Sequence, residues 1–198
     1  MVRRNDERRA ALLDAAIEVL AEGGARGLTF RAVDAEAGVP NGTTSNYFAN
    51  RDQLLIQAGT RVYERLDPGE EGASEGGAAE EPSGPQDTER FVELMVDLVA
   101  KVGGFRSGYL ALLELRLEAV RRPELRRLLT ERVRADIAHN VAHQAASGLP
   151  GDAISVKLLI CAYNWLILEQ LTLPEVFDEA ERAELIRAAV PRLVGEAG

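Results

Sequence analysis

The sequence predicts an all-α chain of about nine helices: an N-terminal three-helix head with a helix-turn-helix, followed by a helical bundle. Three observations predict it. Apolar residues recur at spacings of three and four along most of the chain. Proline is scarce outside loops and no strand-like alternation is present. The stretch Thr29 to Phe48, TFRAVDAEAGVPNGTTSNYF, reads as two short helices about a tight Ala-Gly-Val turn. With 198 residues, 46% of them hydrophobic, the chain can bury a sizeable core, either as one large helical unit or as a small head plus a body.

The first helix is expected over Arg8 to Glu22, with Leu12, Leu13, Ala16, Ile17 and Leu20 on one stripe and Gly23-Gly24 as its stop. Thr29 is an N-cap for a second helix from about Phe30 to Ala37, where Phe30, Val33 and Ala37 share one face and Arg31 and Glu36 look outward. Gly38 ends it, because glycine tolerates positive φ. Val39 is expected to plug the small core, and Pro40, with fixed φ and no N–H, opens a third helix near Pro40 or Asn41. That helix is short and polar: Asn41, Gly42, Thr43, Thr44, Ser45 and Asn46 precede Tyr47-Phe48. All these types lower helix propensity, so something other than propensity selects them. Short polar side chains let a backbone approach the major groove, where hydroxyls and amides meet base edges and phosphate oxygens. The pattern points to DNA; the plain alternative is a polar turn capping the next helix.

The fourth helix runs from Arg51 to about Leu66, with Leu54, Leu55, Ala58 and Val62 inward and Asn50-x-x-Gln53 as a capping box at its start. Residues 67–86, DPGEEGASEGGAAEEPSGPQ, are acidic, glycine-rich and without aliphatic anchors, which predicts a disordered loop; a segment that mimics DNA or docks a partner is the functional alternative. Thr88 to Val102 carries Phe91, Leu94, Met95 and Leu98 as a fifth helix, and Phe105 to Arg121 forms a sixth. Arg122-Pro123 starts the seventh, which ends before Gly148. Asp152 caps the eighth, and Asp178 with Glu181 makes a capping box for the ninth, which Pro191 is expected to bend or end.

Val39 to Arg51, VPNGTTSNYFANR, resembles the signature of the TetR family of bacterial repressors. The likeness extends back through Arg9 to Ala16 and Gly23 to Thr29, and forward to Leu54-Leu55, about the first third of the chain. The remainder resembles the family in helix count and length. Four positions depart from the usual pattern. Thr44 and Ser45 replace a bulkier pair, Asp34 stands where a small apolar residue is common, and Arg51 replaces lysine, adding a planar fork to the charge. The resemblance implies that Thr29, Thr43, Tyr47 and Arg51 touch phosphates. It places Asn41, Thr44 and Ser45 nearest the bases and gives Gly42 the role of permitting close approach. The N-termini of the second and fourth helices add N–H groups aimed at phosphate oxygens. The resemblance also implies a homodimer through the helices near 153–171 and 178–194, which reads a palindromic operator.

Net charge is −9, yet residues 1–65 hold nine arginines against nine acids, while residues 66–198 hold fourteen basic against twenty-three acidic side chains. A neutral head is a weak electrostatic footprint, so affinity is expected from two heads per dimer and from a flexible cluster of Arg3, Arg4, Arg8 and Arg9; a merely solubilising tail is the alternative. Cys161, the single cysteine, excludes an intramolecular disulfide and fits a reducing, cytoplasmic setting. Its apolar neighbours, Leu158-Leu159-Ile160 and Trp165-Leu166, predict a buried structural thiol. Ala153 to Leu173 is nearly continuous apolar sequence, but Lys157, Asn164, Glu169 and Gln170 interrupt it, which argues against a membrane span. A helix apolar on nearly all sides needs cover from its own domain and from a second subunit.

In the family, a small-molecule effector sits among the body helices and moves the fourth helix. This works only if the ligand prefers the DNA-incompetent state. Candidate lining residues are Phe105, Tyr109, Glu114, His139, Tyr163, Asn164 and Trp165, for an apolar or amphipathic effector; Glu114 and Glu118 with Arg121 also read as a charge network on a wet face. His139 and His143 are four apart on a helix but lack the glutamate of a metalloprotease helix, so neither metal nor cofactor is expected. No phosphate-cradling loop with lysine, Gly-x-Ser-x-Gly or cysteine pair suggests an enzyme. The sequence thus reads as a ligand-responsive repressor. The alternatives are an architectural or interaction protein without a small-molecule switch and a helical enzyme with carboxylates at Glu114 and Glu118.

Overall fold

The structure, a computed structural model, describes residues 2–66, 89, 92, 93, 95–97, 99, 105–147 and 151–194. Every described element is helical: α1 (Val2–Gly27), α2 (Phe30–Glu36), a single 3-10 turn (Thr44–Asn46), α3 (Arg51–Leu66), α4 (Arg106–Ala119), α5 (Pro123–Ser147), α6 (Ala153–Thr172) and α7 (Glu179–Val194). The all-α expectation holds. The acidic loop 67–86 and most of the fifth predicted helix lie outside the described residues. Contacts divide the chain into two units, one of Met1–Ala73 with Phe105–Arg132, the other of Ser74–Gly104 with Val133–Gly198.

In the first unit α1 is the central post, with α2, α3 and α4 packed against it. The predicted stripe of Leu12, Ala16, Ile17 and Leu20 is fully buried, and Leu28, Val33, Phe48, Leu54, Leu55, Ala58 and Val62 complete the core. Each large aliphatic side chain removed from water contributes about 1.5–3 kcal/mol. The first helix starts earlier than expected, at Val2, because arginine, glutamate, alanine and leucine are good helix formers and no breaker precedes Gly23. Its last turn breaks at Gly24 (φ 63°), and the Glu114 carboxylate accepts the Ala25 N–H there at 2.8 Å.

Glu118 is not on a wet face. Its side chain is buried, with oxygens 2.7 Å from Arg121 and 2.8 Å from Arg122, and Arg122 also pairs with Asp52 in the first turn of α3. The hydrogen bonds from Arg122 and Arg121 hold the Glu118 carboxyl below its usual pKa in spite of burial.

The predicted caps form. Asn50 Oδ1 accepts the Gln53 N–H at 2.8 Å, and Gln53 returns a bond to Ala49 N–H rather than to its own cap residue. Asp152 accepts from Ile154 and Ser155, while Asp178 and Glu181 exchange reciprocal bonds of 2.9 Å. Two expectations are corrected. Of the two outcomes expected of Pro191, a bend or an end, the end is overturned: α7 continues to Val194, and in the last turn the missing N–H removes a single bond. Cys161 is exposed, because neighbours in sequence point to different helix faces, and Cys161 shares its face with Leu158 and Trp165, three and four residues away, which are also exposed. The opposite face of α6 buries Val156, Leu159, Leu166, Ile167 and Leu171.

Two helical glycines make opposite demands. A Cβ on Gly59 would meet Leu125, Leu128 and Leu129 at ordinary contact distance, 3.7 Å, so Gly59→Ala is expected to stabilise by about 0.5–1 kcal/mol through helix propensity. A Cβ on Gly108 would overlap the Phe105 ring, which the Arg65 guanidinium covers at 4.2 Å. Overpacking costs about 1–3 kcal/mol and outweighs the propensity gain, so Gly108→Ala is expected to lower the thermal midpoint while Gly59→Ala raises it.

Candidate nucleic-acid interface

The candidate interface is built on α2. Thr29 caps it as expected, accepting the Ala32 N–H at 3.1 Å. The helix ends in a Schellman motif at Gly38 (φ 62°): the Gly38 N–H reaches Ala35 O at 3.1 Å and the Val39 N–H reaches Asp34 O at 2.9 Å. Val39 is half-buried rather than a full core plug.

The next segment is a turn, not the short third helix predicted to open near Pro40 or Asn41. Gly42 sits at φ +91°, which no helix contains, and only Thr44–Asn46 forms a 3-10 turn. An added Cβ on Gly42 would meet nothing within 4 Å, so the residue is demanded by backbone angle rather than by space. The conformation is held from below by Asp34, which is 1% exposed. Its carboxylate accepts the Gly42 N–H at 2.7 Å, the Thr44 N–H at 2.7 Å and the Thr44 hydroxyl at 2.6 Å. Burial alone would raise the Asp34 pKa, but the bonds from Thr44 and Gly42 together outweigh it and hold the pKa below the ordinary 3.8. The position that departs from the family's apolar preference is therefore the hub that shapes the turn.

This geometry re-sorts the expected contacts. Thr44, expected nearest the bases, is fully buried with its hydroxyl on Asp34. Thr43 and Ser45 donate their hydroxyl protons to the Pro40 and Gly42 carbonyls at 2.6 and 2.7 Å, which leaves only lone pairs facing outward; in this conformation Thr43 has no proton for a phosphate oxygen. Arg51, expected on a phosphate, directs Nε to Leu28 O at 3.1 Å and Nη2 to Ala25 O, closing the carbonyl end of α1. Arg9 is not part of a loose arm: its guanidinium bonds Gln57 Oε1 at 3.0 Å and Tyr47 O at 3.3 Å and lies 5.0 Å over the Phe48 ring. Asn41 and Ser45 are exposed as expected, Tyr47 is half-buried, and Asn46, which sequence reasoning passed over, is exposed beside them. Arg8, Arg26 and Arg31 are exposed and make no ion pair among the described residues.

The expected effector residues are drawn from both units. Phe105, Tyr109 and Glu114 belong to the first unit, while His139, Tyr163, Asn164 and Trp165 belong to the second. Glu114 is committed to Ala25, burial pushes the Tyr109 phenol pKa up, and Tyr163 donates to Met95 O at 3.0 Å. His139, Asn164 and Trp165 are exposed; the His139 and His143 rings stack at 6.4 Å. Within the second unit a cavity of about 200 Å³ is lined by Val96, Val99, Gln170, Arg182 and Ile186, a grouping that no local motif in the sequence announces.

Residues 12–58 match the family described as bacterial regulatory proteins, tetR family, and residues 86–196 match the tetracyclin repressor-like C-terminal domain. The HTH-type transcriptional repressor KstR of Mycolicibacterium smegmatis is 39% identical over 61 residues, which is 31% of this chain and 30% of that protein, so the match spans under a third of the relative's length. A solved structure of the multidrug binding protein EbrR complexed with ethidium is 28% identical, covers 96% of this chain and 99% of its own, and superposes with a TM-score of 0.66. A TetR-family member from Streptomyces coelicolor A3 is 29% identical with the same coverage and a TM-score of 0.68. With its head and body each matched in turn, the chain belongs to the TetR family of bacterial regulatory proteins, DNA-binding regulators rather than enzymes.

Proposed function

We propose that this chain is a repressor that binds a palindromic operator as a homodimer inside the cell and releases it when a small apolar or amphipathic effector binds. The observation that carries the DNA half is the polar turn 41–46, which exposes Asn41, Ser45 and Asn46 while its backbone bonds a buried carboxylate in a three-helix head. Support for the dimer comes from α6, where Ile154 (64% exposed), Leu158 (49%) and Trp165 (58%) form an uncovered stripe with Cys161. The effector half draws on EbrR, a relative of similar length that is named for multidrug binding and is complexed with an amphipathic aromatic cation, ethidium. The contact assignment that follows is Tyr47 on phosphate, and Asn41, Ser45 and Asn46 toward the bases.

Selection of duplexes from a random pool, followed by release with candidate effectors, tests the proposal. An inverted repeat supports a symmetric dimer; a smear of unrelated sequences favours the architectural alternative. Two substitutions test the contacts. Tyr47→Phe removes a hydroxyl without removing charge, so it is expected to weaken binding to every sequence about five-fold and to leave the salt slope unchanged. Arg51→Ala is expected to lower the thermal midpoint of the free protein, because its guanidinium holds the end of α1. A changed salt slope with unchanged stability is the opposite result and restores Arg51 to the phosphates.

A further inference from the structure

We infer that the recognition turn reads adenine, with Asn41 and Asn46 each presenting a free carboxamide to one adenine in every half-site. The inference rests on the DNA-binding reading above and follows from the hydrogen-bonding capacity of each side chain in the turn. Between Val39 and Asn50 there is no lysine or arginine, so nothing in the turn carries the paired donors that guanine O6 and N7 accept. Thr44 is buried, and Thr43 and Ser45 face outward with lone pairs only. Asn50 is used as the cap of α3.

Asn41 and Asn46 remain. Both are exposed, and neither side chain has a hydrogen-bond partner within the described chain. A carboxamide sets one acceptor beside one donor group. Adenine alone offers the complement in the major groove, the N6 donor beside the N7 acceptor. Guanine shows two acceptors, cytosine a donor and thymine an acceptor with a methyl group. The backbone under both residues is already fixed by the three bonds to Asp34 and by the fully buried Phe48. Binding therefore has to order little more than two short side chains, which favours discrimination.

The test is selection from a random duplex pool with the full chain and with Asn41→Ala and Asn46→Ala, whose exposed positions predict unchanged melting. A second arm places 7-deazaadenine, which lacks the N7 acceptor, in the selected site. The expected result is an inverted repeat with two adenine columns per half, one flattened by each variant. At either column 7-deazaadenine weakens the wild type about ten-fold, and adds nothing to the loss already caused by the matching alanine. An inverted repeat whose columns carry guanine, or whose adenines tolerate 7-deazaadenine in the wild type, overturns the inference and leaves the DNA-binding reading standing. No enrichment of any sequence overturns both. The deaza arm uses the wild type, so it decides the matter even if a variant misfolds.

Discussion

Asp34→Ala is expected to destabilise the head by about 3 kcal/mol or more and to abolish sequence-specific DNA binding, since net values of roughly 1.5–3 kcal/mol apply to each hydrogen bond to a charged group and losses within one network are not additive. The substitution leaves the N–H and hydroxyl of Thr44 without their acceptor in a place water does not reach, and frees Gly42 to leave its positive φ. Chemical denaturation reads the stability, and amide exchange at Gly42 and Thr44 reads the turn. Asp34→Asn is the graded control: the volume is kept, but an amide N–H₂ now confronts backbone donors, so an intermediate loss is expected. The pH dependence follows from the depressed pKa of Asp34. Its stabilising contribution is fully present above the ordinary 3.8 and is lost as pH falls through the lower folded-state value, so stability of the wild type declines on that acid limb. The Asn variant lacks this part of the slope. Full operator affinity in Asp34→Ala would remove the carboxylate from any role in shaping the turn.

The second large effect is expected from Leu158→Glu combined with Trp165→Glu. Both side chains are about half exposed or more on one face of α6, so charges there do not disturb the core of the second unit, and circular dichroism is expected to be unchanged. A carboxylate buried against a copy of itself carries desolvation and like-charge repulsion together, which is expected to leave a monomer by sedimentation. Each half-site contact is retained, but the second head no longer binds as an intramolecular event. Operator affinity is expected to fall about 100-fold or more, whereas single half-site affinity stays constant. A dimer that survives both charges would place the interface elsewhere.

Some of this protein was legible from local pattern alone. The three- and four-residue periodicity of Leu12, Ala16, Ile17 and Leu20 required a buried helical face, and it is buried. The caps at Thr29, Asn50, Asp152 and Asp178, and the positive φ at Gly38, need only a few consecutive residues, so the sequence contains all the information they use. The family likeness of residues 39–51 belongs to the same local level.

What the sequence could not decide was which polar groups face one another across a gap in the chain. Asp34 and Thr44 are ten residues apart, and one is a base-reading candidate only until the other is seen to bind its hydroxyl. Arg9 and Arg51 look like cations for phosphate until Gln57 and the carbonyls of Ala25 and Leu28 are found to hold them. Cys161 reads as buried from its neighbours in sequence, whereas burial depends on which helix face meets the core. Hydrogen-bond partners and burial are properties of three-dimensional neighbours, so composition and periodicity determined the long helices and their caps but not the turn that replaces the third. Only packing determined which side chains were left free to meet DNA.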